Sequence, residues 1–208
     1  MAEITALIEA NPQADVALFS SVWLYLLWYD NVWIQGEAFH KGLIECTEAF
    51  LETQGVQADL SREMGDFSTS VFSNYIIAKR RFWEDWKALA RAYYDHVEKG
   101  GSILPDNAVA QHAGPKQYAL KTFVQERLAS WLLTRGDYTV VHADYIDKPI
   151  DGLTPDDPAP LLRLLLRTVH GCKAAARRGV PGARPGYHLV RRVAARLHRH
   201  KRDAVRQL

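Results

Sequence analysis

Apolar residues recur at helical spacing in several parts of the chain. Over residues 81–99 they return every three or four positions while charged residues fill the opposite face, and Gly100-Gly101 follows. This pattern predicts an amphipathic helix. The same reasoning predicts helices over 2–10, 42–53, 116–134, 158–178 and 187–206. Residues 22–33 are apolar on almost every face, and their Leu and Trp content favours a helix there too.

Three other segments have the composition of short strands. β-Branched and aromatic residues dominate in 15–20, 70–78 and 138–142. Helices separate these segments and outnumber them. The pattern therefore predicts an α/β fold that is mainly helical with a few short strands.

A change in composition divides the chain. Residues 147–160 hold four prolines and predict a boundary, with a domain over 1–150, a Pro-rich acidic linker over 151–160 and a helical extension over 161–208. Residues 1–160 carry 13 basic and 23 acidic side chains, a net charge of −10, whereas residues 161–208 carry 13 basic and 1 acidic, a net charge of +12. The formal total of +2 thus hides an acidic body and a strongly basic extension.

Several protein classes are disfavoured. The longest apolar stretch, residues 16–29, is shorter than the roughly 20 residues that a membrane-spanning helix needs. The chain begins Met-Ala-Glu, without the basic start of a signal peptide, so we expect a cytoplasmic protein. Cys46 and Cys172 are read as separate thiols. Phosphate-loop, dinucleotide-binding and serine-hydrolase motifs are missing from the sequence.

Polar residues are densest over 30–40, among aromatic neighbours. Amides and carboxylates bind hydroxyl groups in pairs and aromatic rings stack on sugars, so the segment suits a polyhydroxylated ligand. The candidates for acid–base chemistry are Asp30, Glu37 and His40, and those for ligand contacts are Asn31, Trp33 and Gln35. The alternative is structural: Asp30 and Asn31 cap a helix, and Gly36 makes a turn.

Two further polar sites stand in apolar surroundings. Asn74-Tyr75 lies within the strand predicted over 70–78, where the amide either bridges backbone groups or lines a pocket. Arg127 follows Glu126 in a predicted helix. It either forms an internal ion pair that orients a loop, or its guanidinium binds a diphosphate.

Three motifs in this order resemble bacterial glycosyltransferase-like proteins of surface-polysaccharide biosynthesis. They are Asn31-Val32-Trp33-x-Gln35-Gly36-Glu37-x-x-His40, then Phe72-x-Asn74-Tyr75-x-x-Ala78 with Phe82-Trp83-x-x-Trp86, then Glu126-Arg127-Leu128-Ala129-Ser130. The resemblance covers about residues 15–142 and looks like the acceptor-side half of a nucleotide-sugar-dependent transferase. It implies a sugar diphosphate donor, a lipid-linked or glycan acceptor, and a divalent metal, Mg²⁺ or Mn²⁺, held by a D-x-D motif.

The chain departs from that pattern in two respects. It has no D-x-D, and it has room for only one helix before Asp15, so the usual nucleotide-binding strands are missing. The alternative is a non-catalytic helical interaction module that pairs with a partner chain carrying that half.

The basic extension has its own candidate partners. Residues 187–206 place apolar side chains on one helical face and arginines on much of the rest, which favours an anionic membrane surface, here the inner face. Nucleic acid is disfavoured because Tyr187 is the only aromatic residue after 160. A solvated tail that pairs with the acidic body is the remaining alternative.

Overall fold

The computed structural model describes residues 2–20, 23–99, 109–110, 118–143 and 160–205. The helices in them are α1 (Ala2–Glu9), α2 (Trp23–Trp28), α3 (Val32–Phe39), α4 (Leu43–Thr53), α5 (Arg80–Glu98), α6 (Leu120–Gln125), α7 (Leu128–Arg135), α8 (Pro160–Arg177) and α9 (Ala183–Val205). The strands are β1 (Val16–Leu18), β2 (Ile76–Ala78), β3 (Val109–Ala110), β4 (Tyr118–Ala119) and β5 (Val140–His142). The predicted class, mainly helical α/β with a few short strands, is confirmed.

Two predicted helices are each divided in the structure. The apolar run over 22–33 is broken before α3, because Asn31 is extended at φ −154° and its side-chain oxygen accepts the Ile34 N–H at 2.8 Å, as an N-cap does. The helix predicted over 116–134 becomes α6 and α7, with Glu126 and Arg127 between them. Hydrophobic periodicity did not reveal either break, since both flanks of each break are apolar.

The strand predicted over 70–78 is much shorter than expected. Only Ile76–Ala78 is extended, because Ser73 and Asn74 have φ values of 56° and 53°. Two successive left-handed residues cannot continue a β ladder. The strands predicted over 15–20 and 138–142 are confirmed as β1 and β5.

The three strands form one small mixed sheet in the order β2-β1-β5. β1 runs antiparallel to β2, with Leu18 opposite Ile76, and parallel to β5, with Leu18 opposite His142. Helices α5 and α7 cover it, since Phe82 and Leu133 pack with Val16 and Leu18 in one buried cluster. The sheet is therefore anchored on one central strand that is fully buried.

The basic extension is a helical hairpin that packs on the body. Leu166 of α8 and Tyr187 of α9 share a buried cluster with Leu27 and Met64. The predicted linker, 151–160, lies outside the described residues except for Pro160, at which α8 begins. Among the described helices, none combines the length and apolar character that crossing a membrane requires.

Candidate functional site at the carboxyl end of the sheet

The carboxyl ends of the parallel strands β1 and β5 lie side by side, together with the start of β2. The Phe19 N–H donates to the Tyr75 carbonyl at 3.0 Å, and the Ala143 N–H donates to the Leu18 carbonyl at 2.9 Å. In open α/β sheets, ligands bind outside the carboxyl ends of the strands. This edge is therefore the place in the fold where a ligand site is expected.

A strained turn projects from this edge. The Ser20 hydroxyl, two residues beyond β1, donates to the Phe72 carbonyl at 3.0 Å and accepts the Phe72 N–H at 3.1 Å, so it holds the turn before β2. The left-handed conformation of Ser73 and Asn74 costs on the order of 1–3 kcal/mol per residue. The turn leaves Asn74 exposed and Tyr75 64% exposed, and no described residue hydrogen-bonds to either side chain.

Aromatic rings form a second group at the same end of the sheet. His142, the last residue of β5, is exposed, and its ring centroid lies 4.9 Å from that of Phe67. Phe67 in turn stacks on His170 of α8 at 3.6 Å. The carboxyl end of the sheet thus offers an amide, a phenol and an imidazole to an approaching ligand.

Asp30, predicted as an acid–base group, faces the α8–α9 hairpin. Its Oδ1 accepts from Arg191 Nη1 at 2.8 Å and from the Tyr187 hydroxyl at 3.1 Å, while Oδ2 lies 3.7 Å from Arg184. His188 Nε2 lies 3.8 Å from the same oxygen. The side chain is only 14% exposed. In this arrangement the carboxylate joins the hairpin to the body.

The other two acid–base candidates have different partners. Glu37 accepts the Gly42 N–H at 2.8 Å and the Ile44 N–H at 2.9 Å, so both its oxygens bind the amino end of α4. His40 is buried and stacks on Phe123, with ring centroids 3.7 Å apart. The contacts of the three candidates thus lie in three different elements, and these contacts do not bring them together in one cleft.

Arg127 and Gln35 meet in the interior. Arg127 is 4% exposed, and its guanidinium donates to the Val32 carbonyl at 3.0 Å, the Phe123 carbonyl at 2.8 Å and Gln35 Oε1 at 2.8 Å. A Cβ on Gly36 would lie 2.7 Å from Arg127 Nε, so this glycine makes the close approach possible. Burial lowers the pKa of Arg127 to about 10, which still leaves it charged at neutral pH.

Asn31 and Trp33 are also interior residues. The Asn31 amide donates to the carbonyls of Leu60 and Glu63 at 2.8 and 2.9 Å, and Trp33 is 1% exposed. The cavity that both of them line has a volume of about 10 Å³, room for one water at most. A sugar could stack on Trp33 only if the surrounding side chains moved.

The motifs of the resemblance are nevertheless physically linked. Arg127 of the third motif binds Gln35 of the first. Ser130 of the third motif accepts the Val71 N–H at 2.9 Å, one residue before the second motif begins. Three segments far apart in sequence therefore form one buried framework behind the exposed turn.

The described residues do not fit the divalent metal that the resemblance implies. Among them, no three His, Cys, Asp or Glu side chains are grouped as a metal ion requires. Sequence reasoning also missed two residues at the edge, Ser20 and Phe67. Ser20 could have been found from its position, because it is the last residue of a predicted strand.

Comparisons with known proteins add no assignment to this geometry. No protein-family model, no curated protein and no solved structure matches the chain. We therefore infer function from the residues at the carboxyl end of the sheet and from the three linked motifs.

Proposed function

We propose that the chain is a glycosyltransferase-like protein of surface-polysaccharide biosynthesis that binds a nucleotide-sugar or a lipid-linked glycan. The sugar contacts Asn74 and Tyr75 at the carboxyl end of the sheet. The observation that carries the proposal is the strained turn, which holds an amide and a phenol exposed at that edge. Of the predicted ligand contacts, these two are the ones that reach solvent.

The chemistry of the turn suits a sugar. The Asn74 amide has both donors and an acceptor for a pair of hydroxyls, and the Tyr75 ring offers an apolar face for stacking. Backbone strain of this kind concentrates at ligand-binding sites, where surrounding contacts hold it. Here, the two hydrogen bonds between Ser20 and Phe72 supply that support.

The buried motif residues have a positioning role in this proposal. Arg127, Gln35 and Ser130 fix the segments that lie behind the turn. Catalysis by Asp30, Glu37 or His40 stays a prediction, because protein donors occupy both carboxylates and His40 is buried. The proposal is therefore one of ligand binding first.

Ligand binding can be tested directly. A panel of UDP-, GDP- and dTDP-sugars, each with and without Mg²⁺ or Mn²⁺, is screened by thermal shift and saturation-transfer NMR. Losing a stacking ring costs about 0.5–1.5 kcal/mol, so Tyr75→Ala weakens binding by up to about tenfold. Tyr94→Ala removes a similarly exposed tyrosine from α5 and leaves binding unchanged. No binding by any nucleotide-sugar of the panel refutes the nucleotide-sugar part of the proposal, and equal loss in both variants refutes the contact with Tyr75.

A second candidate, an interaction module that pairs with a partner chain, is favoured by the outer edge of β5. β5 is an edge strand whose neighbour β1 is parallel to it, and no described strand pairs with its other side. Parallel strands are usually covered and paired. Photo-crosslinking from position 141 in the native host tests this idea: a captured chain with a D-x-D-containing α/β domain supports it, and sugar binding by the monomer without any adduct contradicts it.

A further inference from the structure

A notch between the end of α2 and the side of α9 shares no lining residue with the carboxyl end of the sheet. Trp28 forms one wall, and the other wall is formed by Arg191, Arg192, Ala195 and Arg196. The notch is open to solvent and has a volume of about 290 Å³, near the lower limit of about 300 Å³ for small-molecule sites. It is large enough for a small ligand group rather than a single ion.

The arginines of the notch differ in how they are neutralised. Arg191 Nη1 is held by Asp30, by the Trp28 carbonyl and by the Tyr187 hydroxyl, at 2.8, 3.2 and 3.0 Å. Arg192 and Arg196 are exposed, and no acidic side chain in the described part of the chain pairs with them. Because they are four residues apart on one helix, their side chains lie on the same face. The notch therefore holds two guanidinium groups that no described acidic side chain neutralises, next to a third that is fixed by Asp30.

We propose that this notch binds a phosphate or diphosphate group. The planar guanidinium fork matches phosphate oxygens in paired hydrogen bonds, and two forks in one concave site neutralise a charge of about −2. Asp30 does not reverse the sign of the site, since Arg184 and Arg191 already lie against its carboxylate. The Trp28 wall supplies an apolar surface for the group that carries the phosphate.

Neighbouring apolar residues bear on the source of the phosphate. Leu189 and Val193 are 57% and 42% exposed, and they alternate with Arg192 and Arg196 along the outer side of α9. A phospholipid headgroup would place phosphate in the notch and acyl chains near these side chains. A free diphosphate, such as that of a nucleotide, would use the notch alone. The shared chemistry is the phosphate, and the experiment separates the two sources.

The test pairs a notch variant with a charge-matched control. Arg192→Gln/Arg196→Gln removes the two free cations, and Arg80→Gln/Arg178→Gln removes two exposed arginines that lie on α5 and just after α8. Calorimetry with inorganic pyrophosphate measures the free ligand. Sedimentation with vesicles of phosphatidylglycerol and phosphatidylcholine, against phosphatidylcholine alone, measures the lipid headgroup.

We expect the notch variant to weaken binding at least tenfold and the control to stay within twofold of the unchanged protein. Loss in the pyrophosphate arm identifies a free phosphate ligand, and loss in the vesicle arm alone identifies a headgroup. The inference is overturned if the unchanged protein binds neither probe, or if both variants lose binding equally, because bulk positive charge then explains the result. The outcome is independent of sugar binding at Asn74 and Tyr75.

Discussion

Replacing Arg127 by lysine tests whether the buried guanidinium holds the three motifs together. Lysine keeps the positive charge but lacks the fork, so it cannot reach the Val32 and Phe123 carbonyls and Gln35 at once. A hydrogen bond to a charged donor contributes about 1.5–3 kcal/mol, and two of the three are lost. We expect the free energy of unfolding to fall by about 3–6 kcal/mol, a large part of the roughly 5–15 kcal/mol typical of a domain.

The assay is urea unfolding followed by far-UV circular dichroism and tryptophan fluorescence. Arg91→Lys serves as the control, because the Arg91 side chain is 72% exposed and pairs with Asp95 at the surface of α5, where such pairs contribute about 0–1 kcal/mol. If Arg127→Lys lies within about 1 kcal/mol of the unchanged protein, the reasoning from these hydrogen bonds is wrong.

A double-mutant cycle with Gly36 locates the effect. Gly36→Ala places a Cβ 2.7 Å from Arg127 Nε and 2.9 Å from Cζ, so it displaces a guanidinium that three acceptors hold in place. The Arg127→Met variant has no guanidinium to displace. In that variant Gly36→Ala should lower the free energy of unfolding by about 0.5–3 kcal/mol less than it does in the unchanged protein. Strictly additive costs would mean that the two residues act separately.

Three further predictions concern other polar groups. Burial lowers the pKa of Lys173 to about 7. Above pH 7 the unfolded chain therefore keeps a proton on this lysine that the folded protein has lost. The stability of the unchanged protein relative to Lys173→Met should then rise by up to about 1.4 kcal/mol per pH unit between pH 7 and 10, and a flat difference in urea titrations contradicts this. Burial alone would raise the pKa of Asp66, but hydrogen bonds from Ser68 and the ion pair with Arg177 stabilise the carboxylate and lower it. Asp66→Asn should therefore lower the free energy of unfolding at pH 7. This loss should disappear as the pH falls below about 4, which acid unfolding measures. Asn74→Gly should relieve the left-handed strain and raise the melting temperature while sugar binding falls, and unchanged binding would remove Asn74 from the site.

Helices and strands could be predicted from the sequence where neighbouring residues alone determine them. α4 and α5 were predicted within about one residue because one face of each is apolar and a glycine follows each helix; Gly55, just after α4, has a φ of 75°. The strand predicted over 70–78 was mostly wrong because Ser73 and Asn74 form a left-handed turn. That turn is held by hydrogen bonds to Ser20, more than 50 residues earlier in the chain. No local pattern contains that information.

The environment of the candidate site residues was likewise only partly predictable from the sequence. The density of polar residues over 30–40 predicted a ligand site, but a ligand site and an internal hydrogen-bond network have the same local pattern. Gln35 binds Arg127, 92 residues away, and Asp30 binds Arg191, 161 residues away. Asn74 and Tyr75 were selected because polar residues in a predicted apolar strand have few local explanations, and their contact with a ligand stays a prediction.

The α8–α9 hairpin explains part of the charge difference between the acidic body and the basic extension. Within the described part of the chain, Asp30 pairs with Arg191 of α9 and Asp66 pairs with Arg177 of α8. Lys173 lies between them, buried, and donates to the Leu26 carbonyl at 2.9 Å. These contacts use only part of the basic charge of the extension, so Arg192 and Arg196 stay unpaired among the described residues while their neighbour Arg191 is fixed. If the extension served only to neutralise the body, its arginines would pair with acidic side chains. Arg192 and Arg196 border the notch without such partners among the described residues, so the charge asymmetry points to an anionic ligand as well as to attachment of the hairpin.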